Sequence, residues 1–78
     1  MRKKENHLVI AFYSTHDAMA LEETCRDHGA EGRLIPLPKE ISADCGLAWC
    51  APPGAEELLS AMLEEAGITA QEKRVCLI

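Results

Sequence analysis

The sequence predicts a small α+β sandwich: one four-stranded antiparallel sheet with two helices on one of its faces. Three observations carry that reading. Strand-like and helix-like segments follow one another in the order βαββαβ, the second strand contains Pro36, and the first, "HLVIAFY", is apolar throughout. Chains with this order most often fold as a ferredoxin-like sandwich with strands arranged 4-1-3-2. The second strand then lies at an edge, where a residue without an N–H is tolerated. The first lies inside the sheet, where a continuous apolar run belongs.

Each element has its own signal. "HLVIAFY" (7–13) is rich in strand formers and bounded by polar residues, so it reads as a central strand. "STHDAMALEETCRDHG" reads as a helix, with Ser14 and Asp17 spaced as in a capping box and Gly29 as its C-terminal cap. Ala18, Leu21 and Cys25 share its inner face. "EGRLIPLP" reads as the edge strand and "GLAWCA" (46–51) as a short third strand. In "PPGAEELLSAMLEEAG" two prolines precede a helix whose apolar stripe is Leu58, Leu59, Met62, Leu63 and Ala66, and Gly67 ends it. "QEKRVCLI" supplies the fourth strand. No linker or low-complexity segment interrupts the order, so residues 1–78 are expected to form a single domain.

Composition narrows the function classes. The chain has 78 residues, 47% of them hydrophobic, and a net charge of −5. That charge repels phosphate backbones and argues against a nucleic-acid partner. No stretch approaches the ~18 apolar residues of a membrane-spanning helix, so no membrane role is expected. The basic tip "MRKK" leads into a short apolar run and then a polar turn, which reads as a strand and not as a signal peptide. A cytoplasmic location is expected. The acidic pairs Glu22-Glu23, Glu56-Glu57 and Glu64-Glu65 read as solvated helix faces.

Four cysteines, at positions 25, 45, 50 and 76, match no zinc-ribbon or CxxC spacing. Cys45 and Cys50 lie along one strand about 16 Å apart, at ~3.3 Å per residue. That is beyond the ~7 Å between Cα atoms that a disulfide permits. Cys25 and Cys76 read as packing residues on the first helix and fourth strand.

Cys45 is different, because it ends the long polar connection "PLPKEISAD" and opens the third strand. In the predicted topology that strand neighbours the first. Cys45 should therefore lie beside "STHD", the opening of the first helix, whose free N–H groups carry roughly +0.5 charge. The helix start, with His16 or Lys39 nearby as a cation, would favour the thiolate. The connection is longer than the ~2–5 residues a hairpin needs, and excess length at such a place is where function tends to sit. Gly46 would let a backbone or ligand approach the sulfur. An exposed pair between Lys39 and Glu40 is a further expectation. Trp49 is either a core residue or an oligomer contact, while His7, His28 and Arg33 read as surface residues.

The stretches "STHDAMALE" and "GRLIPLPKEISADCGLA", with the two-proline start of the second helix, resemble the selenium/sulfur carrier-like family, long catalogued as a domain of unknown function. The resemblance spans nearly the whole chain, and the run "PLPKEISADCG" is its most specific part. It implies a small α+β protein in which Cys45 holds sulfur or selenium as a persulfide-type adduct. It also implies Thr15, His16, Pro38, Lys39, Glu40, Ser42 and Gly46 as neighbours of that thiol. The chain departs from the family pattern at "WCA" (49–51), where Cys50 replaces a basic residue.

Residues and resemblance together predict a carrier and not an enzyme, since no carboxylate pair, Ser–His–Asp spacing or phosphate loop is present. No cofactor and no resident metal is implied. The partners expected are a sulfur or selenium donor, such as a cysteine desulfurase, and an acceptor protein. Self-association is expected through the sheet face that the helices leave open. Two other classes compete: a soft-metal chaperone using His16 and Cys45, and a regulatory small-ligand module without thiol chemistry.

Overall fold

A computed structural model describes residues 4–78 and shows the ferredoxin-like sandwich. Its elements are β1 (Asn6–Ala11), α1 (Thr15–His28), β2 (Arg33–Pro36), β3 (Leu47–Ala51), a 3-10 turn (Pro53–Ala55), α2 (Glu56–Ala66) and β4 (Glu72–Leu77). The spatial order is β2-β3-β1-β4, with every neighbouring pair antiparallel. Pro36 ends the edge strand β2 and β1 lies inside, as the sequence predicts.

The caps form for the reasons read in the sequence. Ser14 takes an extended conformation and its hydroxyl accepts the Asp17 N–H at 3.2 Å, satisfying one of the orphan donors of α1. Gly29 and Gly67 end the helices in the left-handed conformation, at φ 69° and 70°. There a Cβ would be strained, and each N–H bonds back into the last helical turn.

Alternation along the strands divides the interior in two. Leu8, Ile10 and Phe12, with Trp49 and Ala51, face the helices and meet Ala18, Leu21, Cys25, Leu59, Met62 and Leu63. Trp49 is therefore a core residue; its indole N–H donates to the Glu31 carbonyl at 3.3 Å. The intervening residues Val9, Ala11 and Ala48 point to the opposite face and are fully buried there.

That burial corrects an expectation. The second face is not open along its whole length, because the β2–β3 connection folds across the half nearest the end of β1. Leu37, Ile41 and Ala43 pack on it, with Ile41 only 3% exposed. A turn closed by the Ile41 N–H on the Pro38 carbonyl shapes the connection. Arg74 of β4 ties it down, donating to the Glu40 carbonyl at 3.1 Å while also meeting the Glu72 carboxylate. The expected Lys39–Glu40 pair is absent among the described residues, where the ion pairs are Arg26–Glu22 and Arg74–Glu72. The length that looked like surplus thus covers apolar surface.

Two thiols bear on stability. Burial raises the pKa of Cys25. Burial also raises that of Cys50, with the Arg33 charge opposing the rise and Cys76 adding to it. A raised thiol pKa means that the folded chain keeps its proton where the unfolded chain has lost it. Stability is then complete below the unfolded value of about 8.5 and declines as pH rises past it. Melting temperatures taken from pH 7.5 to 9.5 are expected to fall less steeply in a Cys25→Ala/Cys50→Ala double variant than in the natural sequence. Equal slopes would show that these thiols are not the groups responsible.

Candidate functional site

The end of β1, the start of α1, the β2–β3 connection and the start of β3 meet at one pole of the sheet. Two backbone bonds fasten the chain there, the first continuing the β2–β3 ladder and the second departing from the β1–β3 register. The Leu37 N–H reaches the Gly46 carbonyl at 2.9 Å, and the Cys45 N–H reaches the Phe12 carbonyl at 3.3 Å. Cys45 is thereby held two residues before β3, beside the chain that turns through Tyr13 and Ser14 into α1.

Its sulfur has two polar neighbours among the described residues. The Thr15 hydroxyl lies 3.7 Å from Sγ, and the Leu47 N–H donates to it at 3.4 Å. Thr15 is the first residue of α1, so the thiol stands against the positive end of that helix. The seat thus brings a backbone N–H and a hydroxyl to the same sulfur.

Where the sequence expected a reachable thiol, the structure places a covered one. Cys45 is 3% exposed and belongs to the same apolar cluster as Phe12, Ala18, Leu21 and Trp49. Its side chain lies on the helix side of the sheet, with those of Trp49 and Ala51. Reagents reach the sulfur only if the surrounding segments part. The closest fastening of those segments is the Asp44 N–H, which donates to the Gln71 side-chain oxygen at 3.1 Å. Gln71 in turn is anchored by its own N–H on the Ala11 carbonyl.

The other residues expected around Cys45 divide. Thr15 touches the sulfur. His16 and Lys39 are exposed, and among the described residues neither is a polar neighbour of Sγ, so the cation comes from neither. Pro38 and Glu40 act through their carbonyls in shaping and tying the connection. Ser42 is exposed on it. Gly46 is exposed too, and a Cβ built there meets nothing within 4 Å, so no close approach inside the chain demands glycine. The residues that sequence reasoning missed are Phe12, Leu47 and Gln71. The first two act by backbone groups, which any residue supplies, and Gln71 lies far along the chain.

All four cysteines are free. Cys50 points to the face opposite Cys45, into an open groove of about 670 Å³ lined by His7, Arg33, Ile35 and Ile78 among others. No group of three or more His, Cys, Asp or Glu side chains among the described residues is placed to hold a metal ion. No helix among them is long and apolar enough to cross a membrane.

A cysteine held at a helix start by a ferredoxin-like sandwich defines a small thiol-bearing α+β domain. The chain belongs to the family described as "Putative Se/S carrier protein-like", whose pattern matches residues 7–73. The matched stretch runs from β1 into β4 and includes Cys45 with every residue placed around it. Comparison with curated proteins and with solved structures finds no match to this chain.

Proposed function

We propose that this protein carries sulfur or selenium on Cys45 as a persulfide-type adduct, taking it from a donor such as a cysteine desulfurase and passing it to an acceptor protein. The observation that supports the reading most is the polar seat of the Cys45 sulfur, which combines the Thr15 hydroxyl, the Leu47 N–H and the start of α1. In loading, the Cys45 thiolate attacks the terminal sulfur of the donor's persulfide. The donor's S–S bond breaks, its thiolate leaves, and a new S–S bond forms on Cys45; delivery reverses the roles. The chain acts stoichiometrically, as a carrier and not an enzyme, in the cytoplasm. Because the free Cys45 sulfur is 3% exposed, loading and delivery on this reading require the surrounding segments to part.

The experiment is intact-protein mass spectrometry after incubation with a cysteine desulfurase and cysteine, then with selenocysteine. One added sulfur on Cys45, lost in Cys45→Ala, is the expected result. An unmodified Cys45 with a ligand held in the groove of His7, Arg33 and Cys50 would favour the small-ligand module instead. Less supports the soft-metal reading, since His16 is exposed and is not among the hydrogen-bond partners of the sulfur in the described residues.

Thr15 supplies a side-chain test. Thr15→Val keeps the shape and removes the hydroxyl, a hydrogen bond of ~1 kcal/mol or a rate factor of roughly five. Cys45 is expected to react with iodoacetamide about fivefold faster in this variant, because one fastening of the covered sulfur is lost. An unchanged rate would assign no role to the hydroxyl.

A further inference from the structure

We propose that two copies of this chain pair through the outer edge of β4, joining their sheets into one eight-stranded antiparallel sheet about a twofold axis at Val75. The pairing pattern shows which backbone groups are free. Glu5 and Ile78 exchange both of their N–H···O bonds, at 3.1 and 3.0 Å. Antiparallel pairs alternate between bonded and non-bonded, so the same register makes Cys76 and Arg74 the bonded partners of His7 and Val9. The N–H and C=O groups of Lys73, Val75 and Leu77 therefore point away from β1, towards an edge that no strand among the described residues covers.

Of the protections usual at an exposed edge, β4 has charge at Lys73 and Arg74 but neither shortness nor proline. β4 is six residues long and has no proline, whereas β2, the other edge, is four residues long and ends in Pro36. On the helix side of β4, Val75 and Leu77 are 53% and 58% exposed, the two most exposed large apolar side chains of the described residues. Both lie on the edge whose backbone has no strand partner among the described residues.

Charge selects the partner and the register. A second copy centred on Val75 sets Val75 against Val75 and Lys73 against Leu77 of the other chain, so all three outward residues bond. Centring on Arg74 would oppose two guanidinium groups, which is unfavourable. Centring on Cys76 would leave Lys73 with nothing opposite. In the Val75 register the lysine of each copy arrives at the pole where the other's α2 begins. Lys73 bonds Ser60 within its own chain at 3.0 Å, which marks the β4-facing flank of α2. One turn earlier on that flank stands Glu56, an anion for the incoming Lys73. The same edge accepts this chain's own β4 in a way that the proline-bearing β2 edge does not.

Sedimentation velocity over a concentration series, with amide hydrogen exchange resolved by residue, tests the proposal. The expected result is a dimer at high micromolar concentration, in which the amides of Lys73, Val75 and Leu77 gain protection as concentration rises. Those of Arg74 and Cys76 are protected throughout. Val75→Lys, at an exposed position, is expected to weaken the dimer roughly tenfold or more, because two lysines then face each other at the axis. Arg33→Glu, on the far face, should leave it unchanged. A monomeric mass at every concentration overturns the proposal. So does a dimer that survives Val75→Lys, yields to Arg33→Glu, or leaves the three amides unprotected.

Discussion

Gly32→Ala is expected to destabilise this protein by about 3 kcal/mol, enough to unfold a large share of the molecules at room temperature. Gly32 has a φ of 128°, a conformation that L side chains rarely adopt. A Cβ built on it strikes the Trp49 indole at Nε1 and Cε2 and comes within 2.9 Å of the Cys50 carbonyl. Trp49 is held in place, since its ring is buried in the core and its N–H is engaged by Glu31. Backbone strain contributes ~1–3 kcal/mol and overpacking a similar amount. A core of this size rarely supplies more than ~3–5 kcal/mol in total. Gly46→Ala is the matched control, because the added methyl meets open space. Urea unfolding should show a large drop in midpoint for the first and almost none for the second. Equal midpoints would mean that Trp49 relaxes, and that the tight approach of residue 32 to the indole is not a constraint.

The comparison of the two glycines also shows what the sequence conveys and what it withholds. The frame was legible because its signals are local or topological. Pro36 can sit only where its missing N–H is harmless, and the apolar run of β1 demands cover on both faces. Ser14, Gly29 and Gly67 mark helix ends by their own chemistry. Placing Cys45 against the start of α1 followed from strand order alone. The burial of that cysteine did not, because nothing periodic distinguishes Ile41 or Ala43 from ordinary loop residues. Their packing against Val9 and Ala11 is a tertiary fact. Choosing between Thr15 and His16 likewise depended on helical phase, where one residue is a turn of ~100°. Gly46, beside the cysteine, looked the more significant glycine, yet Gly32 is the one that packing requires.

In the native protein, iodoacetamide is expected to modify Cys45 at least ~100-fold more slowly than in the denatured chain, but through a local opening that leaves Cys25 protected. The sulfur is covered by the start of α1 and by the connection that ends in Cys45 itself. A carrier needs that cover to part without loss of the fold. The connection is held by the Asp44–Gln71 bond, the Arg74–Glu40 bond and the burial of Ile41. Gln71→Ala removes one exposed hydrogen bond worth ~1 kcal/mol, so the opening becomes about fivefold more frequent and Cys45 alkylation accelerates by the same factor. Cys25, packed between α1 and the sheet, should not change. Denaturant separates the two routes. A local opening exposes little surface, so its rate depends weakly on urea, while global unfolding depends on it steeply. If Cys45 and Cys25 react with the same steep dependence, and Gln71→Ala alters neither, then only the unfolded chain offers the sulfur to a partner. Exchange of sulfur or selenium between folded proteins would then have no route through Cys45.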